Sequence, residues 1–282
     1  MNDVHSQRGT EAIKRPAGRL IASVPEIARA NLVALYTVTR REVNRVLRIW
    51  TQTLVPPAIT MTLYFVIFGK VIGSRVGRVD GFSYMQYIVP GLVMMSIINN
   101  CYTNITSSFF GSKFGRYVEE MMASPMPSWV VLTGYVSGAV MRGFLVGVIV
   151  LAIALFFTSL HVAHPLVAVT TVILGATIFA LAGFINAIFA KRFDDIAIVP
   201  TFVLAPLTYL GGVFYSVNML GSPWRQISKG NPILYMVNAF RYGILGVSDV
   251  PVWIAYVVML FFVILLGGIA LWLLNRGVGL RS

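Results

Sequence analysis

Charge is what this chain has least of. Of its 282 residues only 11% are charged, while 57% are hydrophobic. A soluble domain carries about 25% charged residues, so there is too little charge here to cover a soluble surface. Acids are scarcest, at ten against 22 Lys and Arg. Asp194-Asp195 could suggest metal-diphosphate chemistry, but no second acidic cluster completes such a site, and the pair reads better as a helix N-cap for the segment that follows. The single Cys101 excludes an intrachain disulfide and lies inside an apolar stretch, where it reads as a packing residue. His161 and His164 lack a third ligand, so no metal site is expected. A phosphate loop, G-x-x-x-x-G-K-[ST], is also missing. At Gly69-Lys70 the next residue is Val71, and the position five before Gly69 is Tyr64. The first 50 residues are basic and hold no short apolar run with a cleavage site, so no secretory signal is expected.

What the chain does have is long runs without charge. Ile49–Gly69 spans 21 residues, Gly81–Ser112 spans 32, Gly143–Ala190 spans 48, Ile196–Trp224 spans 29 and Pro251–Asn275 spans 25. About 20 apolar residues cross the hydrocarbon core as a helix. The 48-residue run is long enough for two crossings, divided at His161–Pro165. The expected fold is all-α and polytopic, with six transmembrane helices near 51–69, 86–110, 129–158, 166–189, 196–216 and 252–274. The 22 basic residues then divide 15 to six across the membrane, with Arg142 inside span three. The richer side holds both termini, which places them in the cytoplasm. The net charge of +12 thus reads as topology and contact with anionic membrane lipids, not as a nucleic-acid site.

Between the spans the pattern is more varied. Residues 1–25 form a basic cytoplasmic extension, and 26–282 a single transmembrane domain. Within 26–50, Ile27, Leu32, Leu35, Val38, Val43, Val46 and Ile49 recur at near-helical spacing among arginines, with Trp50 at the end. That is an amphipathic interfacial helix on the cytoplasmic leaflet. Pro56-Pro57 kinks span one, which should therefore pack against protein. In span two, Asn100, Thr103, Asn104 and Ser107 form one stripe, either for interhelical hydrogen bonding or as a polar wall of a path. Residues 111–122 read as a short amphipathic surface helix, stopped by Pro125 and Pro127. Such a helix is shaped to dock a soluble partner, or is an interfacial elbow. Span three aligns Gly134, Gly138 and Arg142, so that helix backbones can approach closely. Arg142 lies about 20 Å into its span at 1.5 Å per residue and must find a partner, either backbone carbonyls or an anionic substrate. Residues 217–250 are too polar for a span and too apolar for a loop, and read as one or two short re-entrant helices.

Several motifs carry a resemblance: Arg48-Ile-Trp-Thr-Gln-Thr-Leu-Val-Pro-Pro57, Gly81-Phe-Ser-Tyr-Met-Gln86, Val89-Pro-Gly91, Phe193-Asp-Asp195, Leu207-Thr-Tyr-Leu-Gly-Gly-Val-Phe-Tyr215, Asn231-Pro-Ile233, Phe240-Arg-Tyr-Gly243 and Arg276-Gly…Gly279-Leu-Arg-Ser282. Over roughly 30–282 the chain resembles the permeases of type-two ABC exporters, in particular the small bacterial inner-membrane permeases of the YadH group. The basic extension departs from that pattern. The resemblance implies six spans, an amphipathic connecting helix, a coupling helix between spans two and three, and two short re-entrant helices between spans five and six. It further implies a homodimer in the bacterial inner membrane, with spans one and five meeting across the pathway, and a separate ABC ATPase subunit docked below. ATP and Mg would then sit on that partner, and this chain would bind no cofactor and catalyse no reaction.

Under that resemblance Lys113, Phe114, Arg116, Tyr117, Glu119 and Glu120 are the candidates for coupling to the ATPase. Tyr64, Phe68, Asn100, Asn104, Tyr209 and Phe214 are the candidates for the substrate pathway, an aromatic and amide wall suited to an amphiphilic cargo such as a glycolipid, polysaccharide, lipid or hydrophobic drug. The competing expectations are a membrane-embedded lipid-linked transferase and a non-transporting assembly subunit. An ion channel lacks the ring of charges a filter needs.

Overall fold

Uncharged runs of this length leave the backbone one way to satisfy itself within a single segment in hydrocarbon, which is to hydrogen-bond along a helix. The computed structural model describes residues 24–280 and is mostly helical. The basic extension therefore lies outside the described residues except for its last two positions, as do Arg281 and Ser282.

Helix α1 runs Val24–Arg48. The helix that follows is continuous over Trp50–Val76, in three parts: α2 Trp50–Tyr64, a π-helical stretch Phe65–Ile72, and α3 Gly73–Val76. A hairpin then pairs β1 (Arg78–Val79) with β2 (Phe82–Ser83). Its two turn residues, Asp80 and Gly81, both take positive φ (49° and 83°), the mirror-image turn that suits a two-residue hairpin. This small sheet is the departure from an all-α reading, and the Asp-Gly pair is its signal in the sequence.

Helix α4 (Tyr84–Phe114) begins at a capping box, with Ser83 and Gln86 bonded to each other's backbone N–H. It is followed by α5 (Tyr117–Ala123), α6 (Ser128–Leu155) and α7 (Pro165–Phe189). A bent helix then covers Asp195–Leu210, made of α8 (Asp195–Val199), a π-helical turn Pro200–Leu204 and α9 (Ala205–Leu210). Two shorter helices, α10 (Ser222–Lys229) and α11 (Pro232–Leu245), precede the final α12 (Val252–Arg276).

Helices thus stand at all six expected span positions. Four of them, Trp50–Val76, α6, α7 and α12, are long and apolar enough to cross a membrane. The 31-residue α4 has the length, but its second half carries Asn99, Asn100, Thr103, Asn104, Ser107 and Ser108. The Asp195–Leu210 helix is apolar but shorter.

The core forms around α4, which packs against α6, α7 and α11. Tyr87, Ile88, Val89, Leu92, Met94 and Ile98 of α4 are completely buried. Gly91 permits one of these contacts, because a Cβ there would strike the backbone of Val213. Helix α11 is buried along most of its length, from Ile233 to Ile244. The expected short helices between spans five and six are therefore present as helices. One lies inside the protein, and α10 keeps Trp224 and Ile227 exposed. His164 stacks on Tyr242 of α11 at 4.6 Å between ring centres, which gives that histidine a packing role.

Span one was expected to pack against protein because of Pro56-Pro57, and on one side it does, against α6, where Thr53 and Met61 are buried; it is not covered all round by this chain. Val55, Ile59 and Leu63 face outward. Nor does an aspartate side chain cap the helix after span four. The Asp195 carboxylate instead accepts the backbone N–H groups of Lys191 and Arg192, at 2.8 and 3.0 Å. These two bonds close the turn before the helix and hold the Asp195 pKa below the ordinary carboxylate value.

The Gly134/Gly138 stripe of α6 was expected to seat another helix, and that helix is α1. A Cβ at Gly138 would lie 2.5 Å from Glu42 Cβ, and one at Gly134 would collide with Val38. Replacing Gly138 by Leu should therefore push α1 off α6 and cost about 1–3 kcal/mol, the usual range for overpacking. The check is the melting temperature of the purified chain. It should fall for Gly138→Leu and hold for Gly268→Leu on α12, where a Cβ meets nothing within 4 Å.

Candidate functional site

Four of the six pathway candidates come together. Tyr64 and Phe68 lie one turn apart across the junction of α2 and its π-helical continuation, with ring centres 5.8 Å apart. Phe214, just beyond α9, stands 4.7 Å from Phe68 and 6.2 Å from Tyr64. Tyr209 of α9 stacks on Phe214 at 6.0 Å. The cluster joins span one to span five. Phe65, next to it, turns inward and is fully buried, whereas Tyr209 stays half-exposed.

The helices that carry these aromatics share a further property. Each has a π-helical segment, Phe65–Ile72 in one and Pro200–Leu204 in the other. Such bulges interrupt the regular ladder and are frequent at functional sites. Around them the chain leaves Ile59, Leu63, Ile67, Ile198, Phe202 and Val203 exposed. A broad apolar face is thus formed by spans one and five and left uncovered by this chain.

The other two pathway candidates, Asn100 and Asn104, are held elsewhere. Their amide oxygens accept from Arg142, at 3.2 Å for Asn100 and 3.4 Å for Asn104. Arg142 therefore has its partners, and they are side-chain carbonyls on α4. Asn104 also accepts from Arg45 of α1 at 2.9 Å. The expected stripe on α4 splits in two. Thr103 and Ser107 bond back to carbonyls of their own helix. Asn100, Asn104, Ser108 and Ser112, each four residues on, face α1 and α6.

At the centre of that polar seam is Glu42, which the sequence reading passed over. Its side chain is 1% exposed. Ser108 donates to it at 2.6 Å, Arg45 at 3.1 Å and Arg41 at 3.3 Å. Arg41 in turn donates to the Tyr135 hydroxyl at 2.7 Å, and Tyr135 donates to Ser112 at 2.8 Å. A buried carboxylate needs such company, because an unpaired charge inside a protein is costly. The signal in the sequence was its register. Val38, Glu42 and Val46 are spaced i, i+4, i+8 along the buried side of α1, the spacing of Gly134, Gly138 and Arg142 on α6.

The docking candidates split in a different way. The expected helix over 111–122 is in fact two pieces. Residues up to Phe114 complete α4, and the chain turns at Gly115-Arg116 before α5. Arg116 makes this break in the left-handed region, at φ 60°, an uncommon conformation for a residue with a Cβ. Lys113 points back into the protein, donating to the carbonyls of Ile188 and Ala190 at 2.6 and 2.9 Å. These carbonyls end α7, where a cation is favoured. Partial burial and the nearby Lys191 hold the Lys113 pKa below the usual lysine value. Phe114, Arg116, Tyr117, Glu119 and Glu120 remain exposed, while Val118 is buried and anchors α5. Phe114 meets Phe193, from the turn after span four, at 5.3 Å. Beside them lies a cavity of about 610 Å³ bordered by Lys113, Arg116, Ile188 and Lys191. Aromatic rings beside exposed charges of both signs make a surface suited to a protein partner. Among the described residues no group of three or more His, Cys, Asp or Glu is placed to hold a metal ion.

Comparison with known proteins identifies the family. The family model described as ABC-2 type transporter matches residues 33–245. The chain is 54% identical over 250 residues to the inner membrane transport permease YadH of Escherichia coli (strain K12), covering 89% of this chain and 98% of that protein. It is 24% identical over 185 residues to nodulation protein J of Rhizobium leguminosarum bv. viciae, covering 65% of this chain and 71% of the relative. Nodulation protein J of Rhizobium meliloti (strain 1021) is 26% identical over 190 residues, with the same coverage. The family implies a non-enzymatic transmembrane subunit that works with an ABC ATPase. The family match over most of the chain, together with the apolar helices, shows that the chain belongs to the ABC-2 type transporters, as a transmembrane permease subunit.

Proposed function

We propose that this permease is the membrane half of an ATP-driven exporter in the bacterial inner membrane, that it works as a homodimer, and that its cargo is amphiphilic. Six crossings put both termini in the cytoplasm, with residues 26–282 acting as one permease domain behind the extension at 1–25. ATP and Mg bind the ATPase partner, and this chain binds neither. The observation that carries the reading is the uncovered face of spans one and five, with Tyr64, Phe68, Tyr209 and Phe214 clustered along it. Two such faces opposed across a two-fold axis enclose a path with aromatic walls. These walls suit a glycolipid, polysaccharide, lipid or hydrophobic drug, since rings stack on sugars and pack against acyl chains alike. Asn100 and Asn104, bound by arginines away from the aromatic cluster, position helices around the path and do not line it.

Motion reaches the path from below. Closure of the ATPase pair on ATP pushes α5, whose Val118 is seated in the bundle. The displacement passes through the Gly115-Arg116 turn to α4, and through Lys113 to the end of α7. The π-helical segments of spans one and five are the places where those helices change pitch as the path opens.

Two outcomes are expected. In a purified complex, Arg116→Glu combined with Glu119→Lys and Glu120→Lys should abolish co-purification of the ATPase while the permease still folds; undiminished co-purification would remove α5 from the docking surface. A chain carrying Ile59→Cys and Phe202→Cys should form an oxidised dimer in membranes. Ile264→Cys, equally exposed but on α12, should not. Dimers with Ile264→Cys alone would place the interface on the wrong face.

A further inference from the structure

The seam around Glu42 opens, on its outer side, into a cavity of about 680 Å³ between α1 and the last turns of α4. Arg41, Arg45 and Arg48 line it from α1, and Ser107, Ser112 and Tyr117 from the other side. Glu42 is the one acid on its wall, and its oxygens are already taken by Ser108, Arg45 and Arg41. Three guanidinium groups therefore face one committed carboxylate, which leaves the cavity positive.

The donors are not exhausted by the protein. Arg41 donates through Nη2 alone among the described residues, and its side chain is 50% exposed. Arg48 is exposed and has no hydrogen-bond or ion-pair partner among the described residues. The Ser112 oxygen accepts from Tyr135 and Arg41, so its own proton is directed to neither of them. A guanidinium carries five donors in a planar fork that matches phosphate oxygens.

The surroundings are those of a membrane interface. Ile49 contributes to the wall, and Leu47 and Trp50 beside it are half-exposed. Tryptophan is enriched at the headgroup level of membranes. The apolar outer face of α2 continues from that point. A positive recess with hydroxyl donors, edged by apolar side chains, fits a phosphate group whose remainder is apolar.

We infer that the cavity between α1 and the cytoplasmic end of α4 binds a phosphate group, carried on an anionic phospholipid headgroup or supplied as a free anion. Held there, the phosphate bridges the interfacial helix to span two beside α5. Occupancy of the site thus joins the docking region to the membrane surface. The inference needs only the seam and the cavity, and it stands whether or not the exporter reading holds.

The full-length chain, purified in a neutral detergent, would be titrated with phosphatidylglycerol, with phosphatidylcholine of the same acyl chains, and with inorganic phosphate, and binding followed by native mass spectrometry. Phosphatidylglycerol should bind saturably and at least tenfold tighter than phosphatidylcholine. Arg48→Gln should weaken it about fivefold, one basic contact being worth about that factor. Arg48→Glu with Asn44→Asp should abolish it, both residues being exposed at the rim. Arg75→Gln, on an exposed basic residue outside the cavity, should change nothing. Phosphate that binds alone, with the same dependence on Arg48, identifies the free anion as the ligand and keeps the site. If neither ligand depends on Arg48, or if Arg75→Gln weakens binding as much as Arg48→Gln, the inference is overturned.

Discussion

One buried carboxylate organises the end of this protein where α1, α4 and α6 meet. Glu42 lies on the side of α1 that meets the bundle, where an unpaired acid would cost more than the contact returns. It is tolerable because three helices supply for it. Its own helix brings Arg41 and Arg45, α4 brings Ser108, and α6 leaves room by having Gly138 opposite. The same approach places Arg45 and Arg142 on a shared acceptor, Asn104. Arg142, the amide stripe and the glycine stripe are therefore parts of one joint. The joint fixes α1 to α4 and α6.

With α1 fixed there, the division of the remaining surfaces follows. Helices α4, α7 and α11 cover one another and form the buried centre. Span one and the bent span-five helix lie at its edge, touching through the aromatic cluster, each with one side seated on the bundle at Met61, Phe65, Leu204 and Thr208 and the other side exposed. Their π-helical segments are the least regular backbone of the long helices. Under the proposed homodimer, these partly covered helices are the ones that meet a second copy. The candidate docking residues Phe114, Tyr117, Glu119 and Glu120 are exposed beside this centre.

Much of this was legible in the sequence, for a definite reason. Spacing between charges reports helix positions in a membrane directly, because hydrocarbon tolerates few alternatives. Six helices stand where the uncharged runs are, and the amphipathic register of 26–50 marked α1. The Asp80-Gly81 hairpin had a clear local signal that was not read. Partners were harder, because they depend on how helices meet. The glycine stripe of α6 announced close packing but not that α1 fills it. The amide stripe of α4 looked like one surface, yet its residues divide between an arginine-facing row and a row bonded to its own backbone. Glu42 could be found only by noticing an acid in register with Val38 and Val46. Span one's Pro56-Pro57 suggested cover that this chain itself provides on one side only.

The central claim is that Glu42 clamps α1 to the bundle, and amide hydrogen exchange on the purified full-length chain tests it most directly. Losing a buried charged partner of Arg45 and Ser108 costs about 1–3 kcal/mol. In Glu42→Ala the amides of residues 36–48 should therefore exchange roughly tenfold to a hundredfold faster than in the parent, while those of α11 keep their protection. Unchanged exchange across 36–48 would contradict the account, because α1 would then be held by its apolar contacts alone.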